Sequence, residues 1–359
     1  MTRRISIKDI ADKLNISITT VSFVINGKAT EKHISQKVTD KILKLVDEVG
    51  YRPNSFAKGL RTGKSSTIGF LVDNIADPFF STIAHFLEEK ATLYGYKILF
   101  CSTGKEKNKF SELMNVFMQR QVDGYIIATA VGLEDEVRLL AASGVPLVLF
   151  DRYLHDIPAD YILVDNFAST FRATEHLINN GYRRCAFIGA ETKEQQMIDR
   201  IEGYRQAITD HGLDEFILKL NYVKPGSTVA AIQDFLSSSD NIDAVVFGAN
   251  YITLEGLRAL KGATERVRGD LALISFDDFE LLELISPTIT AIEQPSEAIA
   301  QQIMELLMTR LTQKNDKKIF STLNIPCIFK QRASSLPKQM SDGDTNNTLA
   351  HSETNSLNP

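Results

Sequence analysis

Ser6-Ile7-Lys8-Asp9-Ile10-Ala11-Asp12-Lys13-Leu14-Asn15-Ile16-Ser17-Ile18-Thr19-Thr20-Val21-Ser22-Phe23-Val24-Ile25-Asn26-Gly27 decides how the N-terminal part of this chain folds. Ser6 is placed to cap a helix whose residues Ile7, Ile10, Ala11 and Leu14 share one face. Asn15-Ile16-Ser17 then reads as a turn, and Ser17 caps a second helix that stops at Asn26-Gly27. In that second helix Val21, Val24 and Ile25 share a face, so Thr19, Thr20, Ser22 and Phe23 point elsewhere. A third helix from His33 to Val49 turns Val38, Ile42, Leu45, Val46 and Val49 inward and is ended by Gly50. Three short helices with a tight turn between the first two form a helix-turn-helix.

The charge pattern supports a nucleic-acid role for this head. The chain of 359 residues carries a net charge of −5, but residues 1–64 hold 13 Lys/Arg against 6 Asp/Glu, and the remainder is acidic. A basic head on an acidic body suits a DNA-reading module joined to a second domain, although an incidental basic surface gives the same count. Small hydroxyl side chains at the start of the second helix can bond base edges or phosphates in a major groove; in a generic helical bundle they would simply be solvated.

Working outward, Gly50-Tyr51-Arg52-Pro53-Asn54-Ser55-Phe56-Ala57-Lys58-Gly59-Leu60-Arg61 follows the third helix. Pro53 suits a first helical turn, so 53–61 can form a two-turn helix. So short a helix is marginal alone, and Gly59 weakens it by about 1 kcal/mol. The competing reading is a plain linker.

From Ser66 the pattern changes to short apolar strands alternating with amphipathic helices. Strands are expected at 67–72, 96–101, 124–128 and 147–150, and a second set at 161–164, 184–188, 244–247 and 271–275. Helices are expected between them at 78–94, 107–119, 134–143, 167–180, 195–211, 227–237, 252–261 and 296–312. Such alternation indicates parallel sheets covered on both faces, here in two lobes dividing near Asp151–Asp160. A cleft is then expected where the strands' carboxyl ends meet. The predicted organisation is a helix-turn-helix domain at 1–50, a segment at 51–65, a two-lobed α/β domain at 66–335 and a disordered polar tail at 336–359.

Other function classes find little support. The first nine residues lack the apolar stretch of a secretory signal, and no apolar run approaches the ~20 residues of a membrane helix, so a cytoplasmic protein is expected. Cys101, Cys185 and Cys327 are far apart and read as core thiols, and the six histidines show no metal spacing. No GxGxxG, P-loop, GxSxG or HExxH motif occurs, and neither an enzyme nor a bound cofactor is expected. Asp277-Asp278 could be offered as an acid–base pair, but adjacent side chains usually point apart. A two-lobed solute-binding protein for transport is the nearest competitor; it would need an export signal and no basic helix-turn-helix.

Asp9-Ile10-Ala11, Ile16 to Ser22, Ile25-Asn26, Gly50-Tyr51-Arg52-Pro53-Asn54 and Ala57-x-x-Leu60, in this order and spacing, resemble the head of the LacI/GalR family of bacterial transcription regulators. The resemblance implies a recognition helix at 18–26 and a hinge helix at 53–61 that folds on operator DNA and wedges Leu60 into the minor groove. It implies DNA contacts from Ser6, Ser17, Ile18, Thr19, Thr20, Ser22, Phe23, Asn26, Tyr51, Asn54, Ala57 and Leu60. It extends across the body to about residue 332, which looks like a periplasmic-binding-protein type I fold, and implies a homodimer on a pseudo-palindromic double-stranded operator. It also implies that 51–65 is a hinge and 66–335 the effector-binding and dimerisation domain. No leucine heptad that would make tetramers stands at the C-terminus. Two residues depart from the family: Phe23 stands where many relatives place a polar or basic residue, and Gly59 lies inside the hinge.

In the body the resemblance rests on Asp77-Pro78-Phe79-Phe80, Asp151-Arg152, Asp199-Arg200-x-x-Gly203-Tyr204, Asn250, Asp277-Asp278 and Gln294-Pro295, each at a strand end or helix start. Tyr251 replaces an acidic residue usual after that Asn. The expected effector residues are Asp73, Phe79, Asp151, Arg152, Arg200, Asn250, Asp277 and Gln294. Carboxylates accept from paired hydroxyls, Arg donates a planar fork, and Phe79 can cover an apolar sugar face. Taken singly, Asp151 and Asp277 could be helix caps, the arginines interlobe ion pairs and Phe79 core. The expected effector is a sugar or sugar derivative; a nucleobase or nucleoside stacked on Phe79 is the alternative.

Overall fold

The computed structural model describes residues 5–51, 63–128, 131–238, 242–261, 271–312 and 319–338. It divides into two units, 1–66 and 67–359, described in turn. The expected hinge residues Asn54, Ala57 and Leu60 lie outside the described residues.

The head has three helices, α1 (Ile7–Leu14), α2 (Ile18–Ile25) and α3 (Gln36–Glu48). Ser6 and Asp9 form a capping box at the start of α1: the Ser6 backbone N–H donates to Asp9 Oδ2 at 2.7 Å, and the Asp9 N–H donates to Ser6 Oγ at 3.2 Å. Asn15 caps the other end in the left-handed region at φ 52°, which turns the chain sharply into α2. Ile10, Ala11, Val21, Val24, Ile42 and Leu45 form the buried centre. The expected start of α3 at His33 is corrected. His33 is itself left-handed at φ 51° and cannot continue a helix, so the helix begins after Ser35.

The body contains two six-stranded sheets. The first is ordered β11-β5-β4-β3-β1-β2 and built from β1 (Thr67–Val72), β2 (Lys97–Ser102), β3 (Gly124–Ile127), β4 (Leu147–Phe150), β5 (Asp160–Val164) and β11 (Thr322–Ile325). The second is ordered β12-β10-β9-β8-β6-β7 and built from β6 (Cys185–Ala190), β7 (Phe216–Leu220), β8 (Ala244–Phe247), β9 (Ala272–Phe276), β10 (Thr290–Glu293) and β12 (Ile328–Lys330). All pairings are parallel except β12 on β10.

The helices that matter for the site are α4 (Pro78–Leu93), α5 (Lys107–Gln119), α6 (Glu134–Ala142), α7 (Asn166–Asn179), α8 (Gln195–Asp210), α9 (Val229–Ser238), α10 (Asn250–Lys261), α11 (Leu281–Leu284) and α12 (Ser296–Thr312). In β1, Ile68, Phe70 and Val72 join a core that runs on to the second sheet, while Leu71 faces a smaller core under α5 and α6 with Phe110, Phe117 and Val137. The alternation expected of a strand covered on both faces is thus present in the side chains. Gly203 lets α8 lie directly on α7, because any Cβ there would collide with the Phe167 carbonyl.

Two readings of the sequence are corrected here. The lobes do not divide near 151–160: β5 pairs with β4 in the first sheet, and the chain first leaves that lobe at Asp165. It then crosses back after β10 and forward again between β11 and β12, giving three connections. Residues 336–338, expected to be part of a disordered tail, are ordered. They dock on the second lobe, where the Tyr182 hydroxyl donates to the Leu336 carbonyl at 2.9 Å, the Lys338 N–H to the Asn180 carbonyl at 2.8 Å, and Lys338 pairs with Asp243 at 2.8 Å. Residues 339–359 lie outside the described residues.

Asp160, fully buried at the start of β5, fastens α12 to the first lobe. Arg310 Nε donates to its Oδ2 at 2.6 Å and Nη2 to its Oδ1 at 2.8 Å, while the Ser321 N–H also donates to Oδ1 at 2.9 Å. Removing one member of such a buried pair leaves the other without compensation, which typically costs several kcal/mol. Asp160→Ala is therefore expected to lower the unfolding free energy of the body by about 3 kcal/mol in chemical denaturation; a change within about 0.5 kcal/mol, as for an ordinary surface site, would contradict this.

Candidate functional site

In the head, the second helix offers a stripe of Ile18, Thr19, Ser22, Phe23 and Asn26, one and two turns apart. Ile18, Thr19 and Asn26 are exposed, Ser22 and Phe23 partly so. The hydroxyls are less free than their exposure suggests. Ser17 Oγ accepts from the Thr20 N–H at 3.0 Å and shares a 2.8 Å hydrogen bond with Thr20 Oγ1, so both serve the helix cap. Ser6 is engaged in the α1 capping box. Asn26 Nδ2 donates back to the Ser22 carbonyl at 2.7 Å. The Phe23 ring lies under the Lys32 ammonium, 5.5 Å from its centroid. Tyr51 is half-buried against the head core, and burial raises its phenol above the ordinary value. Of the expected DNA contacts, Ile18, Thr19, Ser22, Phe23 and Asn26 form one surface, while Ser6, Ser17 and Thr20 hold the helix starts.

In the body, the expected effector residues fall into two groups at the carboxyl edges of the sheets. The first gathers Asp73 after β1 with Asp151 and Arg152 after β4. Arg152 Nη2 pairs with Asp73 Oδ2 at 2.7 Å and its Nε with Asp151 Oδ2 at 3.3 Å. Glu194, buried at the start of α8 in the other lobe, joins them: it lies 3.6 Å from Arg152 and accepts from Lys105 Nζ at 2.9 Å. Lys105 follows β2, so this ion pair bridges the lobes.

The second group is a hydrogen-bonded chain. Gln294 Nε2 donates to Asp277 Oδ1 at 2.7 Å, and the Asn250 N–H donates to Asp277 Oδ2 at 3.1 Å. Asn250 Nδ2 then donates across the lobes to Asp77 Oδ1 at 3.0 Å. Arg200 stands behind this group, packed on the Phe276 ring at 3.5 Å and donating to Asn166 Oδ1 at 2.8 Å and the Gly248 carbonyl at 2.7 Å.

A cleft of about 700 Å³ opens beside the second group, between the starts of α4 and α12. Phe79, Asn250, Asp277 and Gln294 line it; Asp73, Asp151, Arg152 and Arg200 do not. The structure therefore brings four of the eight residues onto open space and packs the other four in the closed interior. Three buried oxygens in this region, Asp73 Oδ1, Gln196 Oε1 and Gln294 Oε1, accept no hydrogen bond from the protein. Each is an acceptor that a donor would satisfy.

The two lobes repeat one local device. Phe150-Asp151 ends β4 and Phe276-Asp277 ends β9, with φ values of 70° and 75° at the aspartates. The Asp151 N–H donates to the Ile162 carbonyl and the Asp277 N–H to the Ile292 carbonyl, each on the neighbouring strand. Left-handed backbone at a residue other than glycine costs about 1 kcal/mol, less for Asp than for most. Strain of this kind is concentrated where it aims a functional group.

Sequence reasoning did not include Glu194, Lys105, Gln196 or Asp77 among the site residues. Glu194 and Gln196 were legible only as residues around the start of α8, and nothing in the sequence places Lys105 opposite them. Tyr251, which departs from the family, packs tilted against Tyr222 at 4.8 Å between centroids, and burial and Glu194 raise its hydroxyl well above the phenol range.

A helix-turn-helix head and a two-lobed α/β body with an interlobe cleft define a ligand-responsive DNA-binding regulator. Comparison with known proteins agrees. Residues 6–54 match bacterial regulatory proteins of the lacI family, and residues 65–333 match periplasmic binding proteins and the sugar-binding domain of the LacI family. The chain is 30% identical over 315 residues to the HTH-type transcriptional regulator RegA of Clostridium saccharobutylicum, spanning 86% of this chain and 93% of that one. It is 27% identical over 335 residues to the ribose operon repressor of Haemophilus influenzae, spanning 92% and 99%. Among solved structures, the lac repressor dimer bound to operator and an anti-inducer superposes with a TM-score of 0.79 at 20% identity, covering 93% of this chain and all of that one. A LacI-family regulator from Enterococcus faecium with bound ribose gives 0.67 at 25% identity over 76% of this chain and all of that one.

The chain belongs to the LacI/GalR family of bacterial transcriptional regulators. It is a sequence-specific DNA-binding regulator under effector control, with no membrane-spanning helix among the described residues.

Burial gives Asp151 a testable pH signature. Desolvation is the largest cause that pushes its carboxyl up, to about 6; Arg152 and Arg200 pull it down, and Glu194 and Asp73 oppose them. A carboxyl raised above its ordinary 3.8 stabilises the fold fully below about pH 4 and loses that contribution as pH rises through about 6. Asp151→Asn is expected to melt higher than the unsubstituted protein at pH 7.5, with the gap narrowing toward pH 5. A gap that widens on acidification would contradict this.

Proposed function

We propose that this regulator is a homodimeric repressor whose effector is a sugar or sugar derivative held at the carboxyl edges of the two sheets. The observation that carries this reading is the set of buried acceptors without protein donors, Asp73 Oδ1, Gln196 Oε1 and Gln294 Oε1, beside carboxylates and an amide. Sugar hydroxyls are donors that satisfy such acceptors, and an isolated buried acceptor costs about 1–3 kcal/mol when left unmade. Phe79, at the mouth of α4, supplies an apolar ring for a sugar face. The remaining assigned contacts are Asp151, Arg152, Arg200, Asn250 and Asp277.

Asp73, Asp151, Arg152 and Arg200 are packed inside, so effector entry requires the Lys105–Glu194 and Asp77–Asn250 links to open and re-form around it. Differential affinity for the open and closed lobes then shifts operator affinity. On DNA, two copies of α2 enter successive major grooves of a pseudo-palindrome, with Tyr51, Asn54 and Ala57 near the backbone and Leu60 as a minor-groove wedge. Such a protein acts where the DNA is, in the cytoplasm.

A thermal-shift screen of sugars, sugar phosphates, nucleobases and nucleosides tests the effector class. A sugar is expected to raise the melting temperature with concentration. Asp277→Asn, which keeps the left-handed turn but removes the charge, is expected to weaken that sugar at least tenfold while leaving effector-free operator binding intact. A response to nucleobases or nucleosides alone would contradict the sugar assignment, and an undiminished response in Asp277→Asn would remove that residue from the site.

A further inference from the structure

The reading stripe of α2 is uncharged. Its side chains are Ile18, Thr19, Ser22, Phe23 and Asn26. Ile18 is 45% exposed, an isoleucine at the first position of the helix that turns toward solvent although Val21, three residues on, is buried. Phe23 lies five residues on, about one and a half turns, and is also partly exposed. Positive charge reaches the stripe through exposed Lys32, which lies over Phe23, and exposed Lys28, whose backbone N–H donates to the Phe23 carbonyl.

Lys32 fixes Phe23 by placing its ammonium over one ring face at 5.5 Å, which leaves the rest of the ring to face outward. Asn26, the one amide on the stripe, has its Nδ2 committed to the Ser22 carbonyl at 2.7 Å. The stripe therefore lacks the fork that reads guanine, a bidentate Arg or Lys on O6 and N7. Its one amide, on Asn26, already donates to the Ser22 carbonyl and is held back along the helix. What it offers is two apolar surfaces flanking one exposed threonine. In the major groove the apolar group on a base edge is the thymine 5-methyl.

We infer that Ile18 and Phe23 are specificity-determining residues that read thymine 5-methyl groups, so that operator half-sites are chosen by A·T pairs at the positions these two side chains cover. This rests on α2 being the recognition helix. The flanking lysines supply phosphate attraction without sequence content, so discrimination beyond the Thr19 and Ser22 hydroxyls falls to apolar contact. Burial of one methyl against a side chain corresponds to about a fourfold change in affinity per site.

The test uses the full chain and a duplex recovered by selection from a random pool. Each thymine of the selected half-site is replaced in turn by deoxyuridine, which removes only the methyl, and affinity is measured by fluorescence anisotropy at fixed salt. At one or two positions in each half-site, deoxyuridine is expected to weaken binding about fourfold. Ile18→Ala and Phe23→Ala are expected to lose a similar factor on thymine duplexes and little more on the matching deoxyuridine duplex. Both residues are surface-facing, and unchanged melting temperatures show that the variants fold.

If the two variants weaken thymine and deoxyuridine duplexes equally, the methyl reading is overturned while α2 remains the recognition helix. Selected half-sites without A·T pairs at the covered positions would overturn it equally. If both variants bind the selected duplex as the unsubstituted chain does, α2 is not the recognition helix and the underlying reading falls as well.

Discussion

Parallel strands all end on the same edge of their sheet, and the placement of polar residues in this body follows from that constraint. Ten strand pairings hold the two sheets together, and only β12 on β10 runs antiparallel. Asp73 follows β1, Lys105 follows β2, Asp151 follows β4, Asn250 follows β8 and Asp277 follows β9. These residues lie far apart in the sequence, yet a shared strand direction delivers them to the carboxyl edge of their sheets. Ligands in open α/β sheets bind outside that edge, beside the strand where the order reverses. In the first sheet that strand is β1, with β2 on one side and β3 on the other.

The three connections between lobes set what this edge can do. A single linker would let two lobes swing freely, whereas crossings at Asp165, after β10 and between β11 and β12 tie them at three points. Polar links from Lys105 to Glu194 and from Asn250 to Asp77 hold the closed arrangement. They are contacts between side chains that can equally serve a ligand, so closure and binding draw on the same groups. The positive-φ aspartates at 151 and 277 fit the same arrangement, because each holds a carboxylate at a fixed angle through local strain.

Much of this was legible in the sequence because the local signals were strong. Ser6, Ser17 and the apolar spacing of Ile10, Val21 and Val24 define α1 and α2 within a residue, and Lys107–Gln119 and Ser296–Thr312 are read to the residue. The failures have physical causes. β5 is a short apolar run like its neighbours, and only its pairing with β4 shows which lobe owns it. β7, β10, β11 and β12 were not anticipated; all but β10 lie at sheet edges or are only partly buried, and their patterns are too short to stand out. Of the proposed effector residues, strand-end position was readable, but burial was not. Nothing in Asp151-Arg152 distinguishes a closed ion cluster with Glu194 from an open pocket wall. Likewise the hydroxyls of Ser17 and Thr20 look available for DNA until the cap that joins them is seen.

A regulator of this kind couples a ligand in its body to DNA at its head. Thermodynamic linkage makes that measurable without knowing the structural path. The affinity of the effector identified by thermal shift should be measured by calorimetry with the free protein and with the protein saturated by its selected operator duplex. The operator affinity should be measured with and without effector under the same salt. The account predicts that each ligand changes the affinity of the other by the same factor, on the order of 5- to 150-fold. An effector that binds free and DNA-bound protein equally well would contradict it.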